Sequence, residues 1–100
     1  MSAAPAIPLV DSGKVVIYSW VNCPFCVRAK KLLKPKVAEE EFKVYELDQM
    51  KEGDDIQACI IRAYNHETVP AVFIGGKFVG GYSETAALDK SGELDKMLAQ

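Results

Sequence analysis

The sequence contains few cysteines, one histidine and no long apolar segment. Three cysteines, Cys23, Cys26 and Cys59, occur among 100 residues, an odd count and far fewer than a disulfide-stabilised secreted domain uses. No segment approaches the roughly 18 apolar residues of a membrane helix. The N-terminus lacks the basic region and the long apolar run of a secretory signal. We therefore expect no membrane partner and a reducing compartment, the cytoplasm.

Neither sign of charge is in large excess. The formal net charge is −2 at pH 7, and no segment is basic throughout, so nucleic acid is not an expected partner. Hydrophobic residues make up 49% of the chain and charged residues 26%, which is ordinary for a soluble globular domain. The length fits one domain. We expect a surface extension over residues 1–13 and a single domain over residues 14–100.

Hydrophobic patterns predict alternating strands and helices. Apolar, β-branched runs predict strands over residues 14–19, 42–47, 71–74 and 77–79. Helical spacing predicts helices over residues 24–34, 54–64, 83–90 and 91–100, with Ser83 and Ser91 as N-terminal caps of the last two. The first strand–helix–strand unit implies a parallel pair, and the hairpin at Gly75-Gly76 adds an antiparallel strand. The prediction is an α/β fold with a mixed four-stranded sheet and helices on both faces.

Cys23 and Cys26 lie three positions apart where the first predicted helix begins. Pro24 suits the first helical position because a backbone N–H would lack a partner there. The unpaired amides and partial positive charge of a helix N-terminus favour the thiolate of Cys23. Cys26 lies on the apolar face of the helix, shielded from solvent and close enough to form a disulfide with Cys23. This arrangement predicts a redox pair in which Cys23 attacks and Cys26 resolves.

Two other interpretations of the cysteine pair are open but less favoured. The cysteines could simply pack in the core, or they could be half of a zinc site. A zinc site needs two further ligands, and the sequence offers only Cys59 and His66. Cys59 lies on the apolar stripe of its helix, so we interpret it as a buried hydrophobic residue. His66 precedes Thr68-Val69-Pro70 and could touch the active site, but we favour an exposed loop histidine. We expect no metal.

The sequence resembles the dithiol glutaredoxins of the thioredoxin-like fold over nearly all of residues 14–98. The matching motifs are the CPFC segment at residues 23–26, the TVP segment at residues 68–70 and the Gly80-Gly81 pair that leads into a helix. The resemblance implies a redox-active disulfide between Cys23 and Cys26. It also implies a glutathione-dependent thiol–disulfide oxidoreductase that reduces glutathionylated proteins, low-molecular-weight mixed disulfides and protein disulfides. Such a protein is expected to be a monomer without a bound cofactor.

The resemblance further implies where glutathione binds. Pro70 is expected to follow a cis peptide bond, and the backbone of Val69 to pair with the glutathione cysteine as an added strand. The helix that begins near Ser83 and Glu84 is expected to receive the γ-glutamyl carboxylate on its N-terminal amides. The complete set of expected glutathione-binding residues is Trp20, Phe25, Gln57, Thr68, Val69, Pro70, Gly81, Ser83 and Glu84.

Trp20 departs from the family pattern, because family members commonly carry a lysine at this position. That lysine contributes positive charge near the thiolate and the glutathione carboxylate. The expected cosubstrate is therefore glutathione or a related low-molecular-weight thiol, and the absence of the lysine motivates the second hypothesis, a bulkier or more cationic glutathione conjugate.

The resemblance also carries an alternative function. Some glutaredoxins hold a 2Fe–2S cluster between two subunits, using the first cysteine of each subunit and two glutathione molecules. Pro24 argues against a cluster carrier here, because the proline ring stiffens the loop and crowds the position of the cluster.

Overall fold

The computed structural model describes residues 7–100 and contains a four-stranded sheet. The strands are β1 (Val15–Ser19), β2 (Phe42–Glu46), β3 (Ala71–Ile74) and β4 (Lys77–Gly80). Their order in the sheet is β2-β1-β3-β4. Strand β1 is parallel to β2 and antiparallel to β3, and β4 is antiparallel to β3. The predicted mixed sheet is therefore confirmed.

Helices cover both faces of this sheet. They are α1 (Pro24–Leu33), α2 (Gly53–Tyr64), α3 (Tyr82–Ser91) and α4 (Glu93–Ala99). Because successive strand residues point to opposite faces, Val16 contributes to the core cluster under α2, and Ile17 to the cluster under α1 and α4. Among residues 7–100, no helix has the length and apolar character needed to cross a membrane.

The N-terminal caps of the last two helices differ from the prediction. Helix α3 has Gly81 rather than Ser83 at its N-cap, and the Glu84 carboxylate accepts the Gly81 N–H at 2.8 Å. Helix α4 has Gly92, with φ of 86°, rather than Ser91 at its N-cap. A carboxylate in the first turn can reach back to cap the helix, and a left-handed glycine turns the chain directly from one helix into the next. The start of α3 therefore needs no serine cap, whereas at α4 the Ser91 hydroxyl accepts the Glu93 N–H at 3.3 Å from the position before the N-cap.

The segment before β1 is partly built into the core. Residues 1–6 lie outside the described residues, and the domain boundary after residue 13 stays a prediction. Ile7, however, is only 4% exposed and belongs to the core cluster under α2. The Tyr18 hydroxyl donates a hydrogen bond to the Pro8 carbonyl at 2.6 Å. At Ile7 the expectation of a surface position is wrong.

Candidate active site

Cys23 lies between β1 and α1, at the N-cap of the helix. Its backbone is extended, and its sulfur accepts the backbone N–H of Cys26 at 3.2 Å. Pro24 occupies the first helical position, as the sequence predicts. The Cys23 side chain is half-buried, so its sulfur is reachable from outside. A helix N-terminus stabilises negative charge at such a position, which suits a nucleophilic sulfur.

Cys26 is in a different environment, one turn further along α1. Its side chain is 0% exposed. Burial, reinforced by a hydrogen bond with Cys23, raises the pKa of Cys26 to about 12. Both cysteines are free thiols in this structure. The two sulfurs therefore differ in access, as a nucleophile and a resolving thiol should.

An alkylation experiment should distinguish the two sulfurs in the reduced protein. Iodoacetamide reacts with thiolates, and a thiol with a pKa of about 12 is ionised to roughly one part in 10⁵ at pH 7. Peptide mass mapping at pH 7 should find Cys23 modified and Cys26 unmodified. The alkylation rate of Cys26 should rise about tenfold per pH unit, because the thiolate fraction of a thiol rises tenfold per unit while the pH is below its pKa. Unfolded protein is the control, in which both cysteines should be alkylated. Equal alkylation rates of Cys23 and Cys26 in the folded protein would contradict the difference between the two sulfurs.

The loop before β3 faces Cys23. The Val69–Pro70 peptide bond is cis, as the resemblance implies. The Cys23 thiol lies 3.7 Å from the Val69 carbonyl and donates to it. The backbone of Val69 is therefore beside the nucleophilic sulfur, where a peptide substrate that carries a disulfide would have to lie.

An open cleft of about 560 Å³ extends from this loop to the start of α3. It brings together seven of the nine residues expected to bind glutathione, along with two others. The lining residues are Phe25, His66, Thr68, Val69, Pro70, Gly81, Tyr82, Ser83 and Glu84. Their role in binding stays a prediction, but the fold places them around one space.

Gln57 and Trp20 are the two expected residues that do not line this cleft. Gln57 lies on α2, and its side-chain amide donates to the Glu67 carbonyl at 3.5 Å. It therefore contacts the loop that carries Val69. Trp20 follows β1 and is 42% exposed. For both residues, contact with glutathione remains a prediction.

His66 and Tyr82 line the cleft although the sequence analysis did not assign them to it. His66 is half-buried, and its Nε2 donates to the Pro70 carbonyl at 3.0 Å. The interpretation of His66 as an exposed loop histidine is therefore wrong. The Tyr82 ring lies 6.2 Å from that of Phe25. The available signals were proximity to the TVP motif for His66 and the position directly after Gly80-Gly81 for Tyr82.

Glycine is required at the entrance to α3. Gly80 has φ of +128°, and a Cβ there would lie 2.9 Å from the Glu84 side chain. The glycine thus allows Glu84 to fold back and cap Gly81. The carboxylate of Glu84 lies on the cleft wall as a result.

Cys59 takes no part in this site. It is half-buried rather than buried as predicted, but it packs against the core cluster under α2, as its place on the apolar stripe indicates. Within the described residues 7–100, no three histidine, cysteine or acidic side chains gather at a metal-binding distance. Cys59 and His66 therefore do not complete a zinc site with Cys23 and Cys26.

Comparisons with known proteins converge on one family. The family model named Glutaredoxin matches residues 15–79. Glutaredoxin-C6 of Oryza sativa subsp. japonica is 42% identical over 100 residues, a match that covers 100% of this chain and 88% of that protein. The solution structure of the dithiolic glutaredoxin 2-C-Grx1 of Trypanosoma brucei brucei has a TM-score of 0.85 and 46% identity, covering 98% of this chain and 97% of that one. A buckwheat glutaredoxin–glutathione complex has a TM-score of 0.84 and 40% identity, covering 91% and 81%.

Proposed function

This chain belongs to the glutaredoxin family of thiol–disulfide oxidoreductases, and we propose that it is a glutathione-dependent dithiol enzyme. Its proposed substrates are glutathionylated proteins, low-molecular-weight mixed disulfides and protein disulfides. The observation that carries the proposal is the position of Cys23. Its half-buried sulfur lies at a helix N-terminus, 3.7 Å from the Val69 carbonyl, with a buried second thiol one turn away. We further propose that the protein works as a monomer in the cytoplasm.

Removal of glutathione from a protein requires Cys23 alone. The Cys23 thiolate attacks the glutathione sulfur, a disulfide forms between them, and the substrate protein leaves as a thiolate that takes a proton from water. A second glutathione thiolate then attacks the bound glutathione and releases glutathione disulfide and the Cys23 thiolate. The net reaction replaces the substrate's mixed disulfide with glutathione disulfide: the substrate sulfur is reduced to a thiol, the second glutathione is the reductant, and the glutathione taken from the substrate stays in a disulfide throughout.

Reduction of a protein disulfide uses both cysteines. Attack by Cys23 leaves the substrate joined to the enzyme through a mixed disulfide. Cys26, whose backbone N–H already contacts the Cys23 sulfur, then attacks Cys23 and releases the substrate. The enzyme leaves this step with a disulfide between Cys23 and Cys26, which two glutathione molecules reduce.

The cleft supports glutathione as the cosubstrate. The backbone of Val69, which lies beside the Cys23 sulfur, can pair with a peptide in the manner of an added strand. The first turn of α3 offers the amides of Tyr82 and Ser83, which the helix itself cannot pair and which suit a carboxylate. The solved complex of a buckwheat relative with glutathione supports the same ligand.

The cluster-carrier alternative has less support. A cluster would be held through Cys23 of each of two subunits. Pro24 occupies the first turn of α1 directly after this cysteine, where its ring restricts the loop and takes up room beside the sulfur. We therefore propose the enzyme rather than the carrier.

A turnover assay tests the proposed function and the role of Trp20 together. With a glutathionylated protein as substrate and glutathione as reductant, the wild type should turn over. Trp20→Lys should lower the KM for glutathione by about 1.5- to 5-fold, because an exposed charge pair contributes about 0.2–1 kcal/mol. Lys31→Arg, which keeps the charge of an exposed residue on α1, is the matched control.

Two results would contradict these proposals separately. Absence of turnover with any low-molecular-weight thiol would refute the enzymatic function. A KM for glutathione that is equal in wild type and Trp20→Lys would leave the enzyme in place but refute the idea that Trp20 shifts the preference away from glutathione.

A further inference from the structure

His66 connects the two walls of the cleft. Its Nε2 atom lies 3.0 Å from the Pro70 carbonyl on one wall. Its Cε1 atom lies 3.6 Å from the position that a Cβ on Gly81 would take, at the start of α3 on the other wall. The ring also packs edge-on against Phe78 of β4, with ring centroids 5.2 Å apart. These three contacts hold the imidazole beside the first amides of α3.

The lining of the cleft is poor in positive charge. Among the described residues that form it, Glu84 is charged at neutral pH, and none is a lysine or an arginine. His66 is the one lining residue that can become a cation near neutral pH. Glutathione carries two carboxylates, which the Glu84 carboxylate repels and an imidazolium attracts. The charge state of His66 therefore changes the sign of the balance that a carboxylate meets in the cleft.

The hydrogen bond to Pro70 fits both charge states of His66. A carbonyl oxygen only accepts, so Nε2 carries the proton in the neutral ring, and a further proton adds at Nδ1. Protonation therefore adds a positive charge to the cleft without breaking the contact that holds the ring in place.

The surroundings of the ring act on this charge in both directions. Glu84 favours the cation, because its Oε1 lies 3.4 Å from the same Cβ position on Gly81 that the His66 ring approaches. The positive end of α3 disfavours the cation, and β4 presents the uncharged ring of Phe78. The titratable groups on the elements around the cleft are Glu84 and Tyr82 of α3, Glu67 beside His66 in the chain, and Cys23 at the start of α1.

We propose that His66 is a further cosubstrate-binding residue whose imidazolium attracts the glutathione carboxylate that binds at the start of α3. The affinity of the cleft for glutathione is then highest where His66 is protonated. It falls as the pH rises through the range in which a histidine loses its proton, between about pH 5 and 8. This inference rests on the proposed function, since it requires that the cleft hold glutathione.

Equilibrium binding of S-methylglutathione tests this role without any exchange chemistry. The ligand has no free thiol, and its carboxylates stay ionised between about pH 5.5 and 7.5. Cys23→Ser is introduced throughout and serves as the parent protein, so that the nucleophile does not titrate. His66 is the only histidine in the chain. The Kd from an NMR titration should be about three- to fivefold lower at pH 5.5 than at pH 7.5, as for a partly exposed charge pair.

His66→Gln separates the charge from the hydrogen bond. The glutamine amide keeps an N–H donor for Pro70 but carries no charge, so this variant should bind with one affinity at both pH values. That affinity should match the parent protein at pH 7.5. Lys96→His, added to His66→Gln, is the matched control. It places one histidine on the exposed side of α4, outside the cleft, and should not restore the pH dependence.

Proton uptake gives an independent measurement. A ligand that binds better to the protonated form of His66 must draw protons onto the protein as it binds. Addition of S-methylglutathione to the unbuffered parent protein at about pH 6.5 should therefore raise the pH of the solution. The same addition to His66→Gln should leave the pH unchanged. A ring that only holds the Pro70 carbonyl would take up no proton.

The possible outcomes distinguish this inference from the proposed function. Binding of equal strength to the parent protein at both pH values, or binding without proton uptake, overturns the role of His66 alone. So does a pH dependence that persists in His66→Gln or returns with Lys96→His. Absence of binding at either pH overturns the proposal that the cleft holds glutathione, and this inference with it.

Discussion

Cys23→Ser should abolish every exchange reaction of this protein, whereas Cys26→Ser should remove only part of the activity. Cys23 has the accessible sulfur at the start of α1, and Cys26 is buried with a pKa of about 12. No serine hydroxyl replaces a thiolate as a nucleophile at neutral pH. Removal of glutathione from a protein needs Cys23 and dissolved glutathione, so this activity should largely survive in Cys26→Ser.

Reduction of a protein disulfide should respond in the opposite way to the loss of Cys26. The mixed disulfide on Cys23 then waits for a dissolved thiol, and an intramolecular thiol outcompetes a dissolved one by orders of magnitude. The adduct should therefore accumulate and be visible by non-reducing electrophoresis, while the rate falls by about 10²-fold or more. Cys59→Ser is the control and should keep both activities. Equal loss of both activities in Cys26→Ser, or activity in Cys23→Ser, would show that the roles are assigned wrongly.

Gly53→Ala should strongly destabilise the protein without touching the cleft. Alanine normally favours a helix over glycine by about 1 kcal/mol, yet a Cβ at Gly53 would lie 1.8 Å from the Leu47 carbonyl oxygen. Leu47 is a buried core residue, so the start of α2 must move away from it. Such overpacking costs about 3 kcal/mol, which corresponds to a fall in Tm of about 12–24 °C for a domain of this size.

Gly92→Ala is the matched control for this stability experiment. Gly92 has φ of +86°, and a Cβ there would meet nothing within 4 Å. Its substitution should cost only the backbone strain of a left-handed residue, about 1–2 kcal/mol. Thermal unfolding of both variants compares the cost of a steric collision at residue 53 with the cost of backbone strain at residue 92. If Gly53→Ala is as stable as the wild type, α2 does not pack on the Leu47 backbone as described.

Features that depend on residues close together in the chain follow from the amino-acid sequence alone. The apolar runs predict strands because neighbouring side chains point to alternate faces and both faces are covered. The residues from Cys23 to Cys26 predict a helix start with one outer and one inner cysteine, because Pro24 favours the first helical position and helical spacing turns Cys26 inward. Both features are confirmed in α1 and the sheet, because local backbone preferences and tertiary packing favour the same conformation.

Which distant residues contact one another depends instead on the packing of the folded domain. The TVP segment that follows His66 indicates that this residue is near the site, but the contact of its ring with the Pro70 carbonyl depends on the fold. The composition before residue 14 does not indicate that Ile7 packs in the core. Ser19 and Glu46 are 27 positions apart, and they meet because the parallel register of β1 and β2 places them opposite each other. Such contacts depend on strand register and helix placement, which are set by packing of the whole domain rather than by any single segment.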